Sequence, residues 1–175
     1  MKGTKKLALC AILLALALAL SYTERFLPLQ LLIPLPGVKL GLANIVTLVA
    51  IWLLPAGETL AIVALRCFMG AIFGGGISGL LFSLTGGLLS LGIMLLSRRL
   101  PCFSLYGISI LGAAAHNIGQ ILAAMLLMQT VYIGAYLPYL LLVSLFTGFA
   151  TGAAAGGVLR ILSSHSLIGR FSPPS

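Results

Sequence analysis

The chain alternates between long apolar stretches and short groups of proline, glycine or charged residues. Most stretches approach the roughly 20 residues that a helix needs to cross about 30 Å of hydrocarbon. Breaks such as Pro55, the glycine run 74–76 and the pair Arg98 and Arg99 end individual stretches. The pattern therefore predicts six transmembrane helices, called spans one to six, over residues 7–22, 39–54, 58–73, 79–96, 106–128 and 138–162.

The composition supports a membrane protein and excludes several other classes. Of the 175 residues, 61% are hydrophobic and only 7% are charged, whereas soluble domains carry roughly 25% charged residues. So few polar residues could not cover a soluble core, which excludes a soluble enzyme, a disulfide-stapled secreted domain and a disordered protein. We expect an all-α integral membrane protein in which residues 1–175 form one membrane domain, ending in a polar tail at 163–175.

The distribution of basic residues predicts the orientation of the helices. With the N-terminus inside the cell, seven lysines and arginines fall on the inner side and only Arg25 and Lys39 on the outer side. This bias fits six spans with both termini inside. Because the net charge of +8 comes from residues scattered at helix ends, we expect a lipid bilayer and not nucleic acid around the protein.

Span one has an alternative interpretation as a cleaved signal peptide. A basic start precedes an apolar core and small residues, which is the order of parts in a secretory signal. Cleavage would leave five spans and an outer N-terminus. No clear A-x-A site follows the core, so the six-span interpretation is preferred.

Few side chains are available for catalysis or for binding metals. Glu24 and Glu58 are the two acids, the sequence has no aspartate, and Cys10, Cys67 and Cys102 share no metal-binding or redox spacing. This inventory excludes most designs that need paired carboxylates or two metals. We expect no enzyme activity, no metal and no cofactor, and we interpret the cysteines as packing residues.

Small residues recur at every fourth position in two spans, namely Ala11, Ala15 and Ala19 in span one and Gly148, Gly152 and Gly156 in span six. Such stripes let helix backbones approach closely in lipid. For span six we expect packing inside the protein. For span one, internal packing and docking of a partner protein are both open, because a terminal span can present its stripe outward.

Arg66 is an unusual residue, because it lies near the middle of predicted span three. An arginine at the centre of a spanning helix costs roughly 2.5–3.5 kcal/mol on insertion scales. Glu58 is eight residues away, about 12 Å along a helix, so no acid is an obvious partner. Arg66 must bind backbone carbonyls, water or an anionic ligand, and both a structural role and a binding role are open.

A polar cluster in span five forms the second candidate feature. His116, Asn117 and Gln120 lie within about one helical turn and can face one cavity. His116 and Arg66 are also at similar predicted depths, about 12–14 Å from the starts of their spans. We therefore predict a shared site in the membrane. A metal site is not expected, because no second histidine or acid lies at ligand spacing.

The link between spans one and two, residues 23–38, is apolar and contains three prolines. We expect a semi-rigid flap over the outer face, with Lys39 at the mouth of the site and Asn44 about a turn deeper. Ser83 and Thr85 in span four are further candidates. Lys39 also has a plain interpretation as a lysine at the membrane interface. Cations and amide donors together suit a small substrate with at least one anionic group.

Several strings resemble those of a known family, namely PGVKLGLANIVTLVA, LRCFMGAIFGGG, LFSLTGGLLSL and AAAHNIGQILAA. The chain is similar from about Lys6 to Leu162 to small bacterial membrane proteins called Gx transporters, also labelled heptaprenyl diphosphate synthase component I. That family looks like the substrate-binding S components of energy-coupling factor (ECF) transporters. The resemblance implies a bacterial cytoplasmic membrane protein with six spans and an outer capping loop.

The same resemblance implies partners. S components dock on a transmembrane T component through small residues of span one, which here are Ala11, Ala15 and Ala19, and two ABC ATPases drive the assembly. This chain has no G-x-x-x-x-G-K nucleotide-binding loop. Any ATP-driven transport would therefore take its energy from other chains.

Three functions remain open from the sequence. The first is a substrate-binding subunit for uptake of a small anionic or polar metabolite. The second is a non-catalytic membrane partner of a prenyl diphosphate synthase, because the resemblance includes that label but the chain has no aspartate for the Asp-rich motifs of such synthases. The third is a solitary proton-coupled carrier that uses His116.

Overall fold

The computed structural model describes residues 3–26 and 39–164, and all regular structure in these two ranges is helical. Six α-helices are present there: α1 Gly3–Thr23, α2 Asn44–Leu53, α3 Ala56–Gly70, α4 Gly76–Ser97, α5 Leu105–Met128 and α6 Leu137–Ser164. Two 3₁₀ helices, Glu24–Phe26 and Val131–Tyr136, and a π-helical turn, Ala71–Gly75, connect them. The predicted all-α class is confirmed. The predicted flap falls mostly on residues 27–38 and the predicted tail mostly on 165–175, outside the described ranges.

Four segments are long and apolar enough to cross a membrane: Gly3–Thr23, Ala56–Ser97, Leu105–Met128 and Val131–Ser164. Helix α2 has only 10 residues, about 15 Å at 1.5 Å per residue, which is shorter than the hydrocarbon layer. Large apolar side chains such as Leu126 and Phe146 are exposed on the outside of the bundle. The chain is a multi-pass membrane protein, and the count of six crossings and the orientation stay predictions.

Helix α2 begins five residues later than predicted span two. Gly41 has a left-handed backbone with φ of +82°, and the Asn44 N–H donates to the Gly41 carbonyl at 2.8 Å. This turn stops the helix from extending back to Lys39, so residues 39–42 have no helical structure. The expectation of a helix from Lys39 onward is wrong, because this glycine turns the chain.

The chain reverses between α3 and α4 at the predicted glycine run. Gly74 and Gly76 have φ of +103° and +62°, a region that favours glycine because it has no side chain. Helix α4 begins at Gly76, earlier than predicted, and packs back against α3. The break that the sequence predicted is therefore real, although the preceding residues form a π-helical turn.

The glycine stripe of α6 packs inside the protein, as expected. A Cβ on Gly148 would lie 2.6 Å from the Ile110 Cα, and one on Gly152 would lie 3.3 Å from the Tyr106 Cα. Nearby, the hydroxyls of Ser109 and Thr151 are 2.8 Å apart. Helices α5 and α6 therefore approach as closely as glycine permits, and α5 is held firmly in the centre of the bundle.

Charged side chains link neighbouring helices at one end of the bundle. Lys6 near the start of α1 forms an ion pair with Glu58 near the start of α3. Arg98 after α4 donates to the Ile51 carbonyl and lies over the Trp52 ring, 4.5 Å from its centroid. Several of the charges that the sequence assigned to the inner side therefore lie together and link neighbouring helices.

Candidate functional site

A cavity of about 430 Å³ lies toward the other end of the bundle, where α1 and α3 end and α4 begins. Its volume is within the range of roughly 300–1,000 Å³ that small-molecule sites occupy. Five separate parts of the chain contribute polar side chains to its wall, namely Glu24, Lys39, Arg66, Ser83 and His116, and the end of α1 also contributes Ser21 and Tyr22. The cavity therefore brings together residues that are far apart in the sequence.

Arg66 is buried in the wall of this cavity and is only 5% exposed. It lies one turn before the end of α3, which is closer to the helix end than predicted span three implied. Among the described residues, neither Nε nor Nη2 of the guanidinium has a well-aligned hydrogen-bond partner, and the thiol of Cys67, a weak acceptor, is the side chain that interacts with the group. A buried charge without partners costs much free energy, so a ligand or water that binds these two nitrogens would be stabilised.

Glu24 is the functional candidate that the sequence interpretation missed. It lies just beyond α1, is only 4% exposed and lines the cavity with Arg66. Its carboxylate accepts the Leu42 N–H, and Lys39 and Arg66 face it with their positive charges. No acid was an obvious partner of Arg66 in the sequence; in the structure Glu24 interacts with the charge of Arg66 but accepts its hydrogen bond from Leu42. An acid placed directly after an apolar span was the signal that could have identified it.

The environment of Glu24 acts on its pKa in both directions. Burial raises the pKa of this carboxyl above its ordinary value, because removal from water disfavours the charged form. The backbone N–H groups of Leu42 and Gly41 and the charges of Lys39 and Arg66 lower the pKa and offset part of this effect. The burial effect is the larger one, and the net pKa is raised.

His116 lines the cavity, and the buried Gln120 contacts this histidine. The Gln120 Oε1 accepts the Lys39 backbone N–H at 3.2 Å, which directs its amide nitrogen toward the His116 Nε2 at 3.0 Å. In this network the His116 Nε2 is the acceptor, so the proton of the neutral ring is assigned to Nδ1. Gln120 is completely buried and positions both His116 and the chain at Lys39.

Residues 39–42 are held by three parts of the protein. The Lys39 Nζ donates to the Ser83 hydroxyl of α4 at 2.7 Å, Gln120 of α5 binds its backbone N–H, and Glu24 binds Leu42. Lys39 and Ser83, two of the predicted site residues, both line the cavity. This segment therefore connects the end of α1 to the cavity wall.

Adjacent glycines in α4 make room for the two large polar side chains. A Cβ on Gly86 would lie 2.8 Å from the His116 Nδ1, and a Cβ on Gly87 would lie 2.8 Å from the Arg66 Nη2. Side chains at either position would displace these groups. The sequence interpretation did not single out this pair, although a double glycine inside an apolar helix is a recognisable signal for close approach.

A comparison with protein families identifies the chain. The family model described as heptaprenyl diphosphate synthase component I matches residues 13–158. The chain belongs to this family. The matched range includes every polar residue of the cavity wall. No curated protein and no solved structure matches the chain.

Three other predicted site residues of this component I family member lie away from the cavity wall. The Asn117 Nδ2 donates to the Leu140 carbonyl at 2.9 Å and joins α5 to α6. The Thr85 hydroxyl donates to the Leu81 carbonyl within α4, at 2.7 Å. Asn44 is buried behind Gly41, and neither amide atom has a partner in the described part of the chain. The structure thus does not bring Asn117 to the cavity beside His116.

The alanine stripe of α1 lies on the surface. Ala11, Ala15 and Ala19 are all exposed, and Ala19 also borders the cavity, whereas Leu13 and Ala17 of the same helix are buried against the bundle. Internal packing therefore does not account for the stripe. Its role in docking a partner stays a prediction.

Proposed function

We propose that this family member is a membrane substrate-binding subunit that captures a small anionic or polar metabolite for uptake into the cell. The observation that carries the proposal is the buried guanidinium of Arg66, which lines a cavity and has two nitrogens without well-aligned hydrogen-bond partners among the described residues. An anion in the cavity would supply the missing hydrogen bonds and compensate the buried charge. No catalytic step is part of this proposal.

The surrounding wall supports binding of a ligand over a purely structural role for Arg66. A structural arginine would be expected to bond to nearby carbonyls, as Arg98 does at the Ile51 carbonyl. Arg66 instead lies beside a cavity that also contains His116 and Ser83. Side chains that converge on a pocket of this size are the usual form of a small-molecule site.

The energy for uptake would come from partner proteins in a bacterial cytoplasmic membrane. The sequence contains no nucleotide-binding loop of the G-x-x-x-x-G-K type. The exposed stripe Ala11, Ala15 and Ala19 is a suitable contact for a T component, because small residues allow close helix packing in lipid. The resemblance to ECF S components supports an assembly with a T component and two ABC ATPases.

Co-purification and uptake test this proposal together. The tagged full chain should co-purify from native membranes with a T component and ATPases, and uptake of the metabolite that it retains should cease when ATP is depleted. Uptake that survives ATP depletion, together with repeated failure to recover these partners, would refute the ATP-driven assembly. Mass spectrometry of the purified protein would identify the retained metabolite.

The family description favours a second candidate function. It names a component of heptaprenyl diphosphate synthase, so the chain could be the membrane partner of a separate catalytic subunit. The chain lacks aspartate and cannot itself provide an Asp-rich site for a metal-bound diphosphate. Under this function, deletion of the gene would change the length of the quinone side chain or synthase activity and leave metabolite uptake unchanged.

A further inference from the structure

The two unpartnered nitrogens of Arg66 lie on the same side of its guanidinium. Nε and Nη2 direct their N–H bonds along one edge of the planar group, and neither has a well-aligned hydrogen-bond partner in the described ranges. Two parallel N–H donors match the two oxygens of a carboxylate in a bidentate pair. The missing partner of Arg66 is therefore expected to be an anionic group that presents two oxygens, a carboxylate or a phosphate.

The charges around the cavity limit the charge of the ligand. Among the described side chains of the wall, Lys39 and Arg66 are cationic and Glu24 is the acid. Above the raised pKa of Glu24, these three described side chains together carry one excess positive charge, which a ligand of charge −1 neutralises. A ligand of charge −2 would leave a buried negative charge without compensation, which is costly.

The rest of the cavity wall combines apolar groups with the hydroxyls of Ser21 and Tyr22 at the end of α1. Leu18 and Ala19 of α1 line one side, and Gly70 and Phe73 line the side where α3 passes into the π-helical turn. The side chains of Leu18, Ala19 and Phe73 are apolar and form no hydrogen bonds. They suit an aliphatic or aromatic body attached to the anionic group.

We propose that the cavity binds a small monocarboxylate, with its two oxygens on the Nε and Nη2 edge of Arg66 and its apolar body against α1 and the end of α3. Glu24 makes the site selective, because its negative charge repels dianions. Phosphate monoesters, which carry about −1.5 to −2 charges at neutral pH, are excluded for the same reason. This inference rests on the proposed function and specifies its substrate class.

Binding of four simple probes to the purified full chain tests the charge rule. Benzoate and phthalate have the same ring, but benzoate carries one carboxylate and phthalate carries two. Inorganic phosphate tests a different anion, and benzylammonium tests a cation on a similar ring. Equilibrium dialysis and the melting temperature of the detergent-purified protein would report binding. We expect benzoate to bind and to raise the melting temperature, with phthalate and phosphate at least about tenfold weaker and benzylammonium not bound.

Two variants test the roles of the individual residues. Arg66→Lys keeps the charge but lacks the bidentate edge, so benzoate should bind roughly ten to a hundred times more weakly. Glu24→Gln removes the repulsion, so phthalate should bind at least as tightly as benzoate. Arg99→Lys, at the exposed end of α4, is the control and should leave benzoate binding unchanged. If Glu24→Gln does not fold, the ratio of benzoate to phthalate binding in the natural chain remains decisive.

Several results would overturn the inference. These are no binding of benzoate, equal or tighter binding of phthalate or phosphate, and unchanged benzoate affinity in Arg66→Lys. If ATP-dependent uptake is found but the transported metabolite is a dianion or a cation, this inference fails and the proposed function stands. If benzoate binds as expected but the chain supports no uptake, the proposed function fails and the site remains a monocarboxylate site.

Discussion

The Glu24 carboxylate and the Arg66 guanidinium line the same buried cavity, yet the carboxylate accepts hydrogen bonds from the backbone at Leu42 and not from Arg66. The two charges attract each other without using the donor edge of Arg66. This arrangement stabilises an arginine inside a membrane protein and keeps its Nε and Nη2 available. Glu24 also holds the chain at Leu42 through this hydrogen bond.

Removal of the Glu24 carboxylate should destabilise the protein. In Glu24→Ala, the N–H of Leu42 loses its acceptor inside the protein, and Arg66 and Lys39 lose a compensating charge. We expect a loss of about 1–3 kcal/mol in the free energy of unfolding, measured by denaturation in detergent. Glu58→Ala is the matched control, because its ion pair with Lys6 is partly exposed and should contribute only about 0–1 kcal/mol. Equal losses in the two variants would contradict this role of Glu24.

The raised pKa of Glu24 predicts how stability depends on pH. Between the ordinary glutamic acid pKa and the raised value, the folded protein holds a proton that the unfolded chain has released. The free energy of unfolding should therefore fall as pH rises through this window. Below the window Glu24 is protonated in both the folded and the unfolded state and adds no pH dependence. Glu24→Gln cannot release a proton, so its melting temperature should lack this part of the pH dependence. Identical pH profiles of the two proteins would refute the raised pKa.

The sequence was sufficient to predict the helical class, the break at the glycine run and the position of Arg66 and His116 beside one cavity. These features depend on local composition or on the cost of one polar residue in lipid. It was insufficient for Glu24 and residues 39–42, because their positions depend on a turn at Gly41 and on contacts between distant helices. Periodicity on a helix cannot show which neighbouring helix a side chain faces.

Asn117 and Gln120 illustrate this limit, and they should respond differently to substitution. Asn117→Ala removes a bond from α5 to the Leu140 carbonyl, so we expect a loss of about 1–2 kcal/mol of stability with unchanged ligand affinity. Gln120→Ala removes the group that positions both His116 and Lys39, so affinity should fall as well. Retention of the co-purified ligand and thermal unfolding would measure the two effects. If Asn117→Ala by itself lowered ligand affinity, Asn117 would be part of the binding site after all.

Gly87 should be required for binding because of its distance from Arg66. A Cβ at this position would lie 2.8 Å from the Arg66 Nη2, so Gly87→Ala should displace the guanidinium and reduce ligand retention about tenfold or more. The fold should survive, because the end of a long side chain can move. Gly92→Ala in the same helix is the control, since nothing lies within 4 Å of its added Cβ. That variant should bind normally and gain up to about 1 kcal/mol of stability from helix propensity.

The exposed face of α1 should be needed for partner binding and not for ligand binding. Ala15 lies at the centre of the exposed alanine stripe, and a leucine there would hold another helix away from the backbone. We expect Ala15→Leu to abolish co-purification of the T component and uptake, while the purified chain still retains its ligand and its melting temperature. Ala153→Leu, at an exposed position of α6, introduces the same change elsewhere and should leave uptake intact. If both variants behave alike, the stripe is an ordinary lipid-facing surface and the partner binds another face.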